Sequence, residues 1–182
     1  MDTLYTDRLI LRRFYYSDLD DLFEYAKNPN VGPDAGWKPH GSKRESLSIL
    51  RQFISSDEVW AIVYKDNNRV IGSIGLHNDS KRANEKARMV GYALSEDYWG
   101  LGLATEATKA IIEYGFEKLN LDIISVYHYP HNERSKRVIE KCGFKYEGVL
   151  RRAVIIYNGN TWDHVCYSMT RDEYFSIYKR NR

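Results

Sequence analysis

Residues 100–105, which read Gly-Leu-Gly-Leu-Ala-Thr, have the composition of an anion-binding turn. They stand between a β-rich run and the strongest helical pattern of the chain. The first amides of a helix have no partner within the helix, and the aligned peptide dipoles favour an anion beside them. Glycine lets a phosphate approach this backbone because no Cβ stands in the way. The segment therefore predicts a phosphate-binding turn, although a tight turn without a ligand has the same composition.

Two well-known phosphate motifs do not fit this turn. The P-loop ends in Gly-Lys followed by Ser or Thr, and that tripeptide does not occur in the sequence. The dinucleotide fingerprint needs a third glycine where Thr105 stands. It also needs an acidic residue after the following strand, whereas Asp122 precedes that strand. P-loop binding of ATP and Rossmann binding of NAD are therefore excluded, and another ligand with a pyrophosphate remains compatible.

A second pair of residues with chemical potential lies further along the chain. Asn132 and Ser135 are three residues apart, a spacing that places two side chains on one face of a helix. Ser135 also begins an apolar stripe with Val138, Ile139 and Cys142, so we expect it to face the sheet. A purely structural explanation stays open, with Asn132 as the N-cap of a short helix and Ser135 in its first turn.

These residues must be positioned by a mixture of strands and helices. Apolar residues make up 43% of the 182 residues and charged residues 29%, which is typical of one globular domain. Apolar runs predict strands at residues 9–14, 59–64, 70–76, 87–94, 123–129, 146–157 and 162–169. Amphipathic spacing and caps predict helices at residues 19–26, 42–54, 104–119 and 132–142. The fold class is therefore α/β (α+β), with a proline- and glycine-rich loop at residues 31–41.

Charge and cysteine content weigh against several other classes. The net charge is +2 with both signs interspersed, which makes nucleic-acid binding a weak hypothesis. Two cysteines are too few for a disulfide scaffold, and the five histidines have no paired ligand spacing, so we expect no metal. No apolar run reaches the roughly 20 residues of a membrane span, and no signal pattern is present. We therefore expect a cytoplasmic protein with no membrane partner.

Four stretches of the chain resemble, in the same order, motifs of the GNAT superfamily of N-acetyltransferases, and within it the RimJ/RimL branch. Residues 91–107, from Gly-Tyr-Ala-Leu to Trp-Gly-Leu-Gly-Leu-Ala-Thr-Glu-Ala, are similar to its acetyl-CoA-binding motif. The other stretches are residues 6–12, 131–135 and 142–151. The resemblance implies a GNAT domain over about residues 6–172 of a single domain, 1–182. Its fold is a mixed central sheet of about seven strands, splayed in the middle and flanked by about four helices.

The resemblance also implies acetyl-CoA as co-substrate and direct transfer of its acetyl group to a primary amine, through a ternary complex. Ser135 is then the general-acid candidate at the departing sulfur, and Asn132 orders the pantetheine arm. Trp99 stands where the usual motif has Gln or Arg, a replacement that the RimJ/RimL branch shares. The implied cofactor-binding residues are Tyr92, Ala93, Leu94, Trp99, Gly100, Leu101, Gly102, Leu103, Ala104, Thr105, Asn132 and Ser135.

The sequence does not assign the general base. Met89 stands where several relatives carry a glutamate, and its thioether cannot take up a proton. The weak candidates are Glu96, Asp97, Asp163, His40 and His128. For each, a surface carboxylate or a packed histidine is the simpler explanation. Trp37 and His40 lie in the loop that covers the acceptor in this family, so they are predicted to contact substrate, although Trp37 is equally explained as a hydrophobic anchor.

Three functions follow as hypotheses. The first is an acetyltransferase that acts on a peptide N-terminus, a polyamine, an antibiotic or a small metabolite. The second is a non-catalytic acyl-CoA-binding sensor, because Met89 replaces the strand glutamate. The third is a ribosome- or RNA-associated module, which the near-neutral charge makes the weakest. The sequence leaves the oligomeric state open, including a homodimer.

Overall fold

The computed structural model describes residues 1–179. Its strands are β1 (Leu4–Tyr5), β2 (Leu9–Arg13), β3 (Val59–Tyr64), β4 (Arg69–Asn78), β5 (Ala87–Leu94), β6 (Ile123–His128), β7 (Lys145–Ile155) and β8 (Thr161–Thr170). Its helices are α1 (Leu19–Ala26), α2 (Lys43–Ser56), α3 (Leu103–Glu117), α4 (Glu133–Lys141) and α5 (Arg171–Tyr178). Short 3-10 turns occupy Tyr16–Asp18, Pro33–Ala35 and Glu96–Tyr98.

All eight strands form one mixed sheet, in the order β1-β2-β3-β4-β5-β6-β8-β7. Every neighbouring pair is antiparallel except β5 and β6, which are parallel. The parallel pair needs a crossover connection, and α3 supplies it. The turn that starts α3 therefore lies at the carboxyl end of β5, where ligands commonly bind in sheets with parallel strands.

The sheet splays between β5 and β6. The two strands are paired only where Ala87, Arg88 and Met89 lie beside Ile123, Ile124 and Ser125. On its other side, β5 stays in register with β4 up to the pair of Gly72 and Leu94. Residues 90–94 of β5 thus have strand pairing on the β4 side alone, within the described chain. Apart from the carbonyl of Leu94, which accepts the indole N–H of Trp99, their main-chain groups on the β6 side are available to a ligand.

The two faces of the sheet carry separate hydrophobic cores. Successive side chains of a strand point to opposite faces, so β5 contributes to both. Val90 and Tyr92 pack on the face that α3, α4 and α5 cover. Ala93 packs on the face that α1 and α2 cover. Each side of the splay is therefore backed by its own set of helices.

The structure confirms the predicted α/β class and the splayed mixed sheet, but it contains two further elements, β1 and α5. β1 has two residues, too few to form a recognisable pattern. α5 begins with a capping box: Glu173 donates its amide to Thr170 Oγ1 at 3.3 Å, and Thr170 donates its amide to Glu173 Oε2 at 2.9 Å. That Thr-x-x-Glu spacing is visible in the sequence and predicts a helix start. Residues 180–182 of the predicted domain lie outside the described residues.

Candidate active site

A cavity of about 730 Å³ opens where the sheet splays. Residues from β4, β5 and β6 form its walls, together with the start of α3, one side of α4 and the loop between α1 and α2. Both Tyr92 and Ala93 line it, although their side chains point to opposite faces of β5. The cavity therefore connects the two faces of the sheet.

The turn before α3, residues 100–105, is open at one end of this cavity and has the form of an anion-binding site; we call it the anion seat. Gly100 and Gly102 both have a φ of 78°, in the left-handed region that favours glycine. Gly102 is the N-cap residue and provides no side-chain cap, so the first amides of α3 remain available in the described structure. Leu103, Ala104 and Thr105 line the cavity. The residues present therefore fit a phosphate ligand.

The N-terminal stretch holds this turn in place. The guanidinium of Arg8 donates to the carbonyl of Leu101 at 2.9 Å and forms a salt bridge with Glu106 at 2.7 Å. The hydroxyl of Thr6 also donates to Glu106, at 2.6 Å. Burial alone raises the pKa of Glu106, but the hydrogen bonds from Thr6 and Arg8 outweigh burial and hold that pKa below its ordinary value. A charged carboxylate thus fixes the turn to β2 and its preceding segment.

Trp99 fixes the other end of the turn. Its indole N–H donates to the carbonyl of Leu94 at 2.8 Å, which closes the chain between the end of β5 and the glycines. The guanidinium of Arg134 lies 4.0 Å from the centre of the Trp99 ring. Arg137 and Lys141 of α4 also line the cavity. The aromatic side chain is therefore a positioning residue, and the basic side chains give this end of the cavity a positive charge suited to phosphates.

All of the predicted cofactor-binding residues except Leu101 line the cavity. The side chain of Leu101 is half exposed, and its carbonyl accepts the hydrogen bond from Arg8. It contributes to the shape of the turn and not to the cavity wall. The cofactor contacts themselves stay predictions.

Ser135 faces the cavity together with Tyr92. The two hydroxyl oxygens are 2.9 Å apart, and Tyr92 also approaches the main-chain carbonyl of Ser135 at 3.2 Å. Burial raises the pKa of Tyr92 well above its ordinary value, against the lowering effect of the hydrogen bond with Ser135. Tyr92 therefore stays protonated at neutral pH. The sequence predicts only a cofactor contact for Tyr92, whereas the structure joins it to the general-acid candidate.

Asn132 is the N-cap of α4. Its side-chain oxygen accepts a hydrogen bond from the amide of Ser135 at 3.0 Å. Its side-chain nitrogen donates to the carbonyl of Asp34 at 3.2 Å, which ties α4 to the loop between α1 and α2. The capping explanation is thus correct, and a contact of Asn132 with the cofactor stays a prediction.

Two carboxylates considered as general bases lie outside the cavity wall. Glu96 accepts hydrogen bonds from the side-chain amides of Asn28 and Asn30, at 2.8 and 2.9 Å. Asp163 accepts the amide of Arg152 at 2.7 Å, within the β7–β8 hairpin. Neither residue lines the cavity. Their hydrogen bonds explain both positions, and the structure argues against each as the base.

His40 also lies outside the cavity wall, whereas Trp37 lines the cavity. The imidazole of His40 is buried, its Nδ1 lies 2.7 Å from Ser46 Oγ, and burial lowers its pKa. His40 instead packs against Trp37, with ring centres 5.4 Å apart. Trp37 lines the cavity and also packs in the core between the sheet and α1–α2. Both explanations of Trp37 are therefore compatible with its position, whereas His40 is buried behind the loop and does not line the cavity.

The cavity wall includes side chains that the sequence does not single out. On the face opposite α3 and α4 these are His77 of β4, Tyr127 and Tyr129 at the end of β6, and His164 of β8. The ring of His164 stacks against Tyr127 and Tyr129, at 5.5 and 5.6 Å between centres. Burial and the charge of Lys81 lower its pKa to about 4. These residues are far apart in the chain, and the register of β4, β5, β6 and β8 brings them together, so no local motif reveals them.

Two absences can be stated for residues 1–179. Their helices are all too short or too polar to cross a membrane. Their histidine, cysteine and acidic side chains form no group of three that could hold a metal ion.

Comparison with known proteins agrees with this geometry. A sequence profile described as Acetyltransferase (GNAT) domain matches residues 8–145. The uncharacterized N-acetyltransferase YoaA of Bacillus subtilis is 31% identical over 92% of this chain and 96% of that protein. The ribosomal protein uS5 alanine N-acetyltransferase of Escherichia coli is 26% identical over 94% of this chain and 92% of that protein. The solved structure of the microcin C7 self-immunity acetyltransferase MccE, in complex with acetyl-CoA and AMP, has a TM-score of 0.77 at 24% identity, covering 91% of this chain and 93% of that one.

The chain belongs to the GNAT family of acetyltransferases. The resemblance to the RimJ/RimL branch is confirmed by the similarity to the uS5 alanine acetyltransferase. The protein is an N-acetyltransferase, and acetyl-CoA is its co-substrate, as in the rest of the family.

Proposed function

We propose that the protein transfers the acetyl group of acetyl-CoA directly to a primary amine while both molecules occupy the cavity. The observation that carries this proposal is the connection of the two sheet faces beside residues 90–94. A thioester held in that opening is accessible to an amine from the α1–α2 face, while the thiol departs on the α3–α4 face. Holding both reactants in this geometry lowers the entropic barrier to their reaction.

The anion seat at residues 100–105 supports binding of the coenzyme A diphosphate. Available amides at the start of α3, two left-handed glycines and the side chains of Arg137 and Lys141 all favour phosphate. The pantetheine arm would then follow residues 90–94, which have no β6 partner among the described residues and whose main-chain groups on that side are open except for the Leu94 carbonyl. Main-chain N–H groups there are also suited to stabilise the negative charge that develops on the thioester carbonyl.

The pair of Ser135 and Tyr92 supports protonation of the departing sulfur. During transfer an N–C bond forms and the C–S bond breaks, which leaves negative charge on sulfur. Ser135 can donate a proton to that sulfur, and Tyr92, at 2.9 Å, can replace the proton on Ser135. Because burial raises the pKa of Tyr92, this reserve proton is retained at neutral pH.

The acceptor side has apolar and aromatic walls. Val31 and Trp37 of the loop, Phe53 of α2, and Tyr127 and Tyr129 line it. These side chains suit an amine that is attached to an apolar group, such as the first residue of a peptide. The name of the uS5 alanine relative also favours a protein α-amine. A polyamine, an antibiotic and a small metabolite are the competing acceptor classes.

An amine panel with a free-thiol readout tests this function. Purified protein is mixed with acetyl-CoA and with one representative of each acceptor class, and release of coenzyme A thiol is followed over time. We expect thiol release that depends on the amine and is fastest with peptides. Lysate treated with the protein and isotopically labelled acetyl-CoA then identifies the modified amine by mass spectrometry.

The same experiment distinguishes the other hypotheses. Tight acetyl-CoA binding by calorimetry, without thiol release for any amine, would indicate a sensor of acyl-CoA. A steep salt dependence of RNA affinity would indicate an RNA-associated module. Fast release with a polyamine but not with peptides would replace the protein acceptor with a small molecule.

A further inference from the structure

We propose that His77 is the general base that removes the proton from the acceptor amine. This inference rests on the proposed acetyl transfer, and it assigns a role that the sequence leaves open at Met89. An amine is mostly protonated at neutral pH, so direct attack on a thioester needs a proton acceptor beside it.

The strand register places His77 beside Met89. The two residues are direct partners in the β4–β5 ladder, and both line the cavity. Directly opposed residues of antiparallel strands have their side chains on the same face. An imidazole on β4 can therefore act in the space beside Met89, at the edge of the splay.

His77 and the acid pair lie on opposite faces of the sheet. Gly91 pairs with Gly75 and faces the His77 side, whereas Tyr92 is the next residue and faces Ser135. A thioester held at Gly91 and Tyr92 would thus have a proton acceptor on the amine side and a proton donor on the sulfur side. This is the arrangement that direct transfer requires.

Two glycines leave room for the imidazole ring. A Cβ at Gly75 would lie 2.6 Å from His77 Nε2 and 2.9 Å from Cε1, so no other residue at position 75 accommodates the ring in this place. A Cβ at Gly91 would lie 4.0 Å from the same Nε2, which is ordinary contact distance. The ring therefore lies over Gly75, and its Cδ2 and Nε2 reach contact distance of the Gly91 Cβ position on the strand that borders the splay.

Glu58 faces the other ring nitrogen. Its Oε2 lies 3.5 Å from His77 Nδ1. A carboxylate at this distance stabilises the imidazolium that forms when Nε2 accepts a proton. The side chain of His77 is 36% exposed, so the proton can pass from the ring to solvent after each turnover. The proton taken from the amine thus leaves by His77, while the sulfur receives its proton from Ser135.

The other histidines of the cavity are less suited to this role. Nδ1 of His128 donates to the carbonyl of Tyr129 at 2.8 Å, and its Nε2 is buried with no hydrogen-bond partner among residues 1–179. His128 also packs against Tyr167 on the α3–α4 face, which is the thiol side. His164 has a pKa lowered to about 4 by burial and Lys81, which weakens it as a proton acceptor.

Turnover of His77→Ala tests the assignment. We expect its kcat/KM for the best amine to fall about 100-fold. Its Kd for acetyl-CoA should stay within about twofold, because His77 lies on the face opposite the thiol. Added imidazole should restore part of the activity of His77→Ala and should not change the wild type. His131→Gln is the matched control, because this half-exposed ring does not line the cavity, and its kcat/KM should stay within about threefold.

Glu58→Gln provides a graded second variant. We expect a kcat loss of about fivefold with KM unchanged, because Gln keeps the contact but not the charge. Retention of kcat/KM by His77→Ala would overturn the proposal. If, in addition, His164→Gln lost activity and added imidazole restored it, His164 would be the base instead.

A labelling experiment separates failure of this inference from failure of the proposed function. Absence of thiol release by the wild type would reject acetyl transfer itself. In that case the histidine reagent diethyl pyrocarbonate is applied, and modified peptides are identified by mass spectrometry. Slower modification of His77 when acetyl-CoA is bound would support its place beside the acetyl group. An unchanged rate would overturn it.

Discussion

The two ends of the cavity are built in different ways. The end proposed to bind the cofactor, the cofactor end, consists largely of main-chain groups within one short segment, residues 100–105, which Arg8 and Glu106 hold in place. The end proposed to bind the amine, the acceptor end, consists of side chains from several elements, among them Trp37, His77 and Tyr129. The shape of the cofactor end therefore depends on local backbone conformation, and the shape of the acceptor end depends on tertiary contacts between distant residues.

This difference explains why the local sequence indicates the cofactor but not the acceptor. A glycine-rich helix start has the same anion-binding capacity wherever it occurs, so it indicates a cofactor class. Side chains that converge from separate strands depend on register, and a shift of one residue would turn each of them to the other face. The acceptor end can therefore change between relatives while the cofactor end keeps its function.

Gly102→Val should cause the largest loss at the cofactor end. Residue 102 has a φ of 78°, so valine adds backbone strain there, and it places a branched side chain in the anion seat. We expect acetyl-CoA affinity to fall about 100-fold, which calorimetry can measure.

Gly159→Val is the matched control for that strain. Gly159 has a φ of 85° in the β7–β8 turn, and a Cβ there would meet nothing within 4 Å. Its thermal stability should drop in a similar way while acetyl-CoA affinity is retained. Equal loss of affinity in both variants would show that backbone strain, and not obstruction of the anion seat, lowers the affinity for acetyl-CoA.

Ser135→Ala tests the proposed proton donor to the departing sulfur and should have an intermediate effect. We expect kcat to fall about tenfold, because a thiol with a pKa of about 8.5 needs only partial help to leave. Acetyl-CoA affinity should be nearly unchanged. Tyr92→Phe should lower kcat by a similar factor, and the double variant should be little worse than either, since both hydroxyls act on one proton. Parallel losses of kcat and affinity in Ser135→Ala would indicate a structural role.

Glu106→Gln should have the smallest effect and should depend on pH. The pKa of Glu106 is depressed in the folded state, so the charged form stabilises the fold above the ordinary value of 4.5 and this contribution is lost as pH falls through the folded pKa. At about pH 7 we expect the variant to be less stable by about 1 kcal/mol.

Urea denaturation from about pH 7 to about pH 3 measures this dependence. The stability difference between Glu106→Gln and the wild type should shrink at the acidic end. The same substitution at the exposed Glu85 serves as control and should give no such trend. A difference that is constant over the whole range would contradict the role of charge at Glu106.

Much of the fold follows from local patterns. The strands at residues 59–64 and 87–94 are predicted with their observed bounds, because both stretches consist mostly of apolar residues. The helix α5 is also foreseeable from Thr170 and Glu173, whose spacing is that of a capping box. The two residues of β1 are not foreseeable, since they depend on pairing with β2.

The candidate site divides in the same way. Ser135 and the two glycines of the turn are identified by spacing and by resemblance, and all three line the cavity. Glu96, Asp163 and His40 are plausible by residue type alone, but their hydrogen bonds place them elsewhere. His77 carries no local signal, because only its pairing with Met89 places it at the splay.

The amino-acid sequence alone determined the α/β class, the anion-binding helix start and the cofactor class, because these depend on residues close together in the chain. The tertiary structure decided which hydroxyls, imidazoles and aromatic rings share the cavity. That outcome depends on strand register and on the divergence of β5 from β6, and both arise from packing between segments that are far apart in sequence.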